Sequence, residues 1–180
     1  RRGEEELHHR VDADRVEERR LRVIVAAPKQ EQRGLLLSAL KEQLSSDDLE
    51  RAVTPRTRAI LVNTPGNPSG KVFTRAETQQ IADFATRHDL FVFTDEIYEY
   101  FLYDGCRHVS PGSLPGMADR TITISGYSKT FSVTGWRIGY SVSDAHWARM
   151  IGYMNDLVYV CGPAPLQCGV AAGINELTED

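Results

Sequence analysis

Cysteine is scarce in this chain, and its spacing narrows the class of protein. The 180 residues contain three cysteines, and no two of them form a Cys-x-x-Cys pair. This argues against a zinc ribbon or a dithiol redox motif and favours free thiols in the cytoplasm. We expect Cys161 and Cys168 to be small core residues, because both lie in an apolar stretch. No histidine cluster accompanies them, so the sequence predicts no metal site.

Long apolar runs and a strong excess of one charge are also missing. No apolar run approaches the roughly 18 residues of a membrane-spanning helix, so we expect no membrane association. The formal net charge of −4 lacks the basic excess that accompanies nucleic-acid binding. The first residues are rich in Arg and Glu and lack an apolar core, so we expect no secretory signal.

The chain divides by composition into a charged arm and one domain. Residues 1–22 mix charges of both signs and have few apolar positions, which is typical of an exposed helix or a disordered segment. The remainder, residues 23–180, is long enough to bury a sizeable core.

Strand-like and helix-like patterns alternate along this domain. Short apolar runs predict strands over 22–27, 59–62, 90–94, 121–124 and 138–142. Helical spacing and capping residues predict helices over 35–44, 45–52, 74–88, 145–159 and 166–177. The alternation predicts a three-layer α/β/α fold with a mostly parallel sheet. Thirteen residues with no full helix separate Ile124 from Ile138, so we expect the 138–142 strand to be antiparallel.

Three polar motifs follow strands of the predicted sheet. They are Asn67-Pro68-Ser69-Gly70, Asp95-Glu96-Ile97-Tyr98 and the segment from Ser125 to Arg137. Because ligands of open α/β sheets bind outside the carboxyl ends of the strands, we expect the motifs to meet at one edge.

The third motif holds the groups with the clearest chemistry. Lys129 lies in a turn of small residues, where a desolvated lysine can attach an aldehyde cofactor. Arg137 follows eight positions later, and its guanidinium fork matches phosphate oxygens. Ser125 and Ser128 offer hydroxyl donors, and Ser128 is preferred because it adjoins the lysine. The simpler alternatives are a surface lysine and a structural arginine.

In this order and at these separations, the three motifs resemble the class I/II aminotransferases, fold-type-I enzymes that use pyridoxal 5'-phosphate. The resemblance covers roughly Leu49 to Leu177 and implies that residues 23–180 are part of the family's large domain. Family members are longer, with a glycine-rich phosphate-binding turn before this region and a small domain after it. We therefore expect a truncated form of such an enzyme.

The resemblance implies a role for each motif residue. Lys129 would carry the cofactor and move a proton at the substrate α-carbon. Asp95 would pair with the pyridine nitrogen, Tyr98 and Asn67 would hydrogen-bond the ring's phenolic oxygen, and Ser125, Ser128 and Arg137 would bind phosphate. Glu96 would point away from Asp95 and serve the structure. The bond between Asn67 and Pro68 is expected to be cis.

Three functions remain open at this stage. The first is amino-group transfer between an amino acid and a 2-oxo acid, by a cytoplasmic homodimer that acts in amino acid metabolism and biosynthesis. The second is a lyase of the same fold, which would share the lysine and the aspartate. The third is a truncated, non-catalytic protein that keeps the fold.

Overall fold

The computed structural model describes residues 22–26 and 46–176, which form a five-stranded sheet and its helices. The strands are β1 (Arg22–Ala26), β2 (Thr57–Asn63), β3 (Phe91–Asp95), β4 (Thr121–Gly126) and β5 (Gly139–Val142). The helices are α1 (Ser46–Ala52), α2 (Arg75–Arg87), α3 (Tyr127–Thr130), α4 (Ala145–Val158) and α5 (Ala164–Glu176). The predicted charged arm, up to residue 21, and the predicted helix over 35–44 lie outside the described residues.

The strands occur in the sheet in chain order, and the direction of the last one is reversed. Strands β1 to β4 pair in parallel, while β4 and β5 pair antiparallel, as the short connection between them predicted. Asp95 pairs in register with Asn63 on one side and with Ile124 on the other. The carboxyl ends of β2, β3 and β4 are therefore level with one another, at the edge where the motifs were expected.

Helices lie on both faces of the sheet. Val92 of β3 is fully buried in the core that includes α2, whereas its neighbour Phe91 points to the opposite face. There the ring of Phe91 meets Trp147 of α4 edge-on, with centroids 4.9 Å apart. The three-layer α/β/α prediction is thus confirmed.

Helix α2 shows how local sequence and packing agree. Thr74 caps it, since its hydroxyl accepts a hydrogen bond from the Glu77 amide while the Glu77 carboxylate accepts one from the Thr74 amide. Its apolar residues Ile81, Phe84 and Ala85 pack into the core.

The cysteine prediction was wrong for Cys161 and Cys168. All three cysteines are free, and all are exposed. No residue of α4 is buried, and Val170 is the single buried residue of α5, so the apolar stretch that includes both cysteines is mostly exposed. Within the part of the chain that the structure describes, no helix has the length and apolar character required to cross a bilayer.

Candidate active site

Asn67 lies in a turn that closes soon after β2. The backbone of Gly66 donates to Lys71 and accepts from Gly70, with N–O distances of 2.9 and 2.7 Å. Gly70 has a φ of 69°, a conformation that glycine adopts without steric cost. The bond between Asn67 and Pro68 is cis, as predicted, and the side chain of Asn67 is exposed at the sheet edge.

Asp95 and Tyr98 belong to the end of β3 and the turn that follows. Asp95 is half-buried, and its Oδ1 accepts a hydrogen bond from the Ile97 amide at 3.2 Å. The turn continues through residues 97–100 and brings the Tyr98 hydroxyl to Asn67, whose Nδ2 donates to it at 3.3 Å. The second motif thereby contacts the first.

Lys129 lies on the short helix α3, directly after β4. Its position depends on close contact between two glycines, because a Cβ on Gly126 would come within 2.9 Å of the Gly139 Cα. The Tyr127 amide also donates to the Ile138 carbonyl at 3.2 Å, which ties the start of α3 to the approach to β5. The Lys129 Nζ lies 5.7 Å from the centroid of the Tyr98 ring.

Ser128 and Arg137 are joined through one loop residue. The Thr134 hydroxyl donates to the Ser128 carbonyl at 3.0 Å, and the Thr134 backbone carbonyl accepts from Arg137 Nη1 at 3.1 Å. Arg137 is exposed and has a φ of 57°, which is uncommon for a non-glycine residue and is often found at functional sites. The loop therefore orients the guanidinium, whose remaining N–H groups can serve as anion donors.

Ser125 is engaged differently from Ser128. It is buried, and its hydroxyl donates to Glu99 Oε1 at 2.9 Å and approaches the Glu96 carbonyl at 3.3 Å. Tyr140 of β5 donates to the same Glu99 oxygen at 2.9 Å. Burial, with the nearby Glu99 carboxylate contributing, raises the pKa of Tyr140 to about 12. Sequence reasoning missed Glu99 and Tyr140, since no local pattern marks a contact across 26 and 41 positions.

Glu96 is structural, as predicted. It is 2% exposed and accepts hydrogen bonds on both oxygens, from Ser110 Oγ at 2.8 Å and from His108 Nε2 at 2.6 Å. The alternation of an extended chain directs it to the opposite face from Asp95. It anchors the connection after the turn to the end of β3.

The Tyr98 side chain thus contacts Asn67 through its hydroxyl and Lys129 through its ring. Asp95 lies at the end of β3, and Arg137 lies on the loop between α3 and β5. An amine, a carboxylate, a phenol, an amide and a guanidinium are groups that can bind an aldehyde, a ring nitrogen, a ring oxygen and a phosphate. Among residues 22–26 and 46–176, no group of three or more His, Cys, Asp or Glu is arranged to hold a metal ion. This donor set fits pyridoxal phosphate.

An α/β sheet with a lysine turn, an aspartate and an arginine at one edge is the arrangement expected of pyridoxal-phosphate-dependent transferases. Comparison with known proteins makes the assignment narrower. The model of the family described as aminotransferase class I and II matches residues 13–179. The chain belongs to this family.

Individual relatives agree with the family assignment. The chain is 56% identical to aromatic-amino-acid aminotransferase 2 of Thermococcus litoralis over 98 residues, which are 54% of this chain and 25% of that protein. It is 41% identical to human kynurenine–oxoglutarate transaminase 1 over 141 residues, which are 78% of this chain and 33% of that protein. The chain therefore spans about a quarter to a third of the length of the curated relatives it matches.

Solved structures give the same result for the fold. The N-succinyldiaminopimelate aminotransferase of Mycobacterium tuberculosis matches with a TM-score of 0.72 and 41% identity, over 75% of this chain and 35% of that one. The aspartate aminotransferase of Rhizobium meliloti matches with a TM-score of 0.68 and 30% identity, over 78% of this chain and 39% of that one.

Proposed function

We propose that this protein transfers an amino group between an amino acid and a 2-oxo acid with pyridoxal phosphate as cofactor. One observation carries the proposal: three residues from three separate segments meet at the sheet edge. The Lys129 amine lies over the ring of Tyr98, and the hydroxyl of Tyr98 is held by Asn67. When bound, the cofactor supplies a conjugated ring that withdraws electrons from the substrate α-carbon.

Four residues of the site have a defined task in this proposal. The Lys129 amine would hold the cofactor through its aldehyde, and as a free amine it would accept and return the proton at the substrate α-carbon. The Asp95 carboxylate would pair with the protonated ring nitrogen. Asn67 and Tyr98 would donate hydrogen bonds to the phenolic ring oxygen. All four groups lie at the carboxyl ends of neighbouring strands, where such sheets bind ligands.

The phosphate group of the cofactor would be bound by Arg137, Ser128 and Ser125. Arg137 offers a charged fork, and its exposed guanidinium keeps free N–H groups besides the one that Thr134 accepts. Ser128 is the preferred hydroxyl donor, because the hydroxyl proton of Ser125 is given to Glu99 in this structure. Ser125 would contribute only if it turned its proton toward the phosphate.

The proposed location, oligomeric state and substrate class are each supported by a different observation. The three free cysteines support a cytoplasmic location, since a reducing compartment keeps thiols unpaired. Resemblance to the family supports a homodimer and a role in amino acid metabolism and biosynthesis. The relatives are named for aromatic amino acids, aspartate and kynurenine, so the proposed substrate class stays at amino acids and 2-oxo acids.

The test of this proposal is covalent trapping. The chain has four lysines, at positions 29, 41, 71 and 129. After incubation with pyridoxal phosphate and borohydride reduction, peptide mapping is expected to find the adduct on Lys129. Lys129→Arg keeps the charge but loses the reactive amine, so the adduct should disappear. Lys71→Arg is the matched control and should keep it, because Lys71 is paired with Glu77 at 2.7 Å.

An adduct that is spread over all four lysines, or that survives Lys129→Arg, would show that the site assignment is wrong. Products then separate the alternatives. A 2-oxo acid with an aminated acceptor indicates transfer, elimination products indicate a lyase of the same fold, and attachment without turnover indicates a non-catalytic protein.

A further inference from the structure

The Glu99 carboxylate joins three segments of the chain at a single oxygen. Its Oε1 accepts one hydrogen bond from Ser125 Oγ, at the end of β4, and another from the Tyr140 hydroxyl, on β5. Both donors are 2.9 Å away. We call this arrangement of Glu99, Ser125 and Tyr140 the carboxylate clasp.

The clasp connects the segments that carry the proposed cofactor ligands. Ser125 precedes Lys129 by four positions, and Tyr140 follows Arg137 by three. Glu99 itself is the neighbour of Tyr98. One carboxylate therefore ties the turn that carries Tyr98 to both ends of the segment that carries the lysine and the arginine.

The turn that carries Tyr98 is also attached to the core at its other end, through Glu96. Glu96 is held by His108 and Ser110 in the buried network, and the Glu99 amide donates to the Glu96 carbonyl at 2.9 Å. Glu96 fixes the start of the turn to the core, and Glu99 fixes its end to β4 and β5. Tyr98 lies between these two anchors, so its hydroxyl position follows from both.

We propose that Glu99 is a positioning residue that holds the Tyr98 hydroxyl and the Lys129 amine in register. This inference rests on the proposed function, because register matters only if both groups act on one ring. Without the clasp, the turn keeps its Glu96 anchor but can rotate at its far end. Tyr98 then drifts from Asn67 and from the ring oxygen that both are proposed to bind.

The test compares four variants of the whole protein with a fifth that serves as the control. Glu99→Ala removes the acceptor, Tyr140→Phe removes one donor, and the double variant combines them. Glu99→Gln keeps an oxygen that accepts the same two hydrogen bonds. Asp83→Ala is the matched control, since it also removes a carboxylate with a side-chain partner, Gln79 at 2.8 Å, on an exposed face of α2.

Two readouts are expected to move together. In the protein without cofactor, hydrogen exchange of the peptide around Tyr98 should rise roughly 5–30-fold in Glu99→Ala, because two hydrogen bonds are lost. In the loaded protein, the pH midpoint of the cofactor absorbance should rise by up to about one unit, because the ring oxygen loses its donor. Glu99→Gln and Asp83→Ala should match the wild type in both readouts.

The outcomes separate this inference from the proposed function. If the wild type does not attach pyridoxal phosphate at Lys129, the proposed function fails and the inference fails with it. If the wild type attaches it but Glu99→Ala leaves the pH midpoint unchanged, only the inference is overturned. A Glu99→Gln variant that behaves like Glu99→Ala also overturns it. Effects of Glu99→Ala and Tyr140→Phe that are less than additive support the clasp as one unit.

Discussion

The side-chain amide of Asn67 donates a hydrogen bond to the hydroxyl of Tyr98 across 31 positions of sequence, at 3.3 Å. It links the loop after β2 to the turn after β3, and it leaves both polar groups at the carboxyl edge of the sheet. Two donors that already contact each other lose little conformational freedom when they bind a common oxygen. The contact therefore positions, before any cofactor binds, the two donors that are proposed to bind its ring oxygen.

The Tyr98→Phe variant tests the donor role of Tyr98. Phenylalanine keeps the ring under Lys129 but removes the hydroxyl, so the charged ring oxygen of the bound cofactor loses a hydrogen bond. We expect the pH midpoint of the cofactor absorbance to rise by about 1–2 units, since hydrogen bonds to charged groups contribute about 1.5–3 kcal/mol. Spectrophotometric titration measures it. Tyr103→Phe, on an exposed ring of the same connection, is the control. Equal midpoints in the two variants would contradict the role of Tyr98.

Two glycines of α5 are expected to respond differently to the same substitution. A Cβ on Gly173 would sit 3.5 Å or more from the ring of Phe131, an ordinary contact, whereas a Cβ on Gly169 would come within 3.0 Å of the Trp136 ring. Gly173→Ala should therefore raise the free energy of unfolding by about 0.5–1 kcal/mol through helix propensity. Gly169→Ala should gain less or lose stability, because Trp136 must move.

Denaturant titration gives both stabilities, and tryptophan emission gives a local readout for Trp136 when the other tryptophan, Trp147, is replaced by Phe in every variant. We expect Gly169→Ala to change the emission and Gly173→Ala to leave it unchanged. Since Trp136 directly precedes Arg137, the displaced loop should also bind pyridoxal phosphate more weakly. Equal gains in stability with unchanged emission in both variants would contradict the close packing at Gly169.

The raised pKa of Tyr140 predicts how the free energy of unfolding changes at alkaline pH. Its folded pKa of about 12 lies above the ordinary value of 10.0, so the folded state holds the proton more tightly than the unfolded state. The stabilisation is complete below pH 10 and is lost as pH rises toward 12. The difference in unfolding free energy between the wild type and Tyr140→Phe should therefore shrink over this range. A difference that stays constant from pH 9 to 12 would contradict the raised pKa of Tyr140.

Glu96 and Glu50 contrast a buried carboxylate with a surface one. Glu96→Ala leaves Ser110 and His108 without their acceptor in the interior, so we expect a loss of about 2–5 kcal/mol in the free energy of unfolding. Glu50→Ala removes exposed pairs with Arg87 and His88, so it should cost no more than about 1 kcal/mol. Chemical denaturation of both variants measures the contrast. Similar losses would show that the Glu96 network contributes no more than a surface pair.

Much of the fold follows from local pattern. The alternation of strands and helices predicted a mostly parallel sheet, and the Thr74–Glu77 capping box fixed the start of α2. The short connection before β5 predicted its reversed direction. The same local approach was wrong for Cys161 and Cys168, because apolar composition alone does not say which side chains the fold covers.

Sequence by itself determined the motif residues and their common edge, because each motif directly follows a strand and parallel strands end on the same side. Tertiary structure alone decided which side chains meet: Asn67 with Tyr98, and Glu99 with Ser125 and Tyr140. It also decided the left-handed backbone of Arg137. The physical reason is that these contacts depend on how turns from different strands approach one another. That approach is set by packing across dozens of residues and not by the preferences of any single segment.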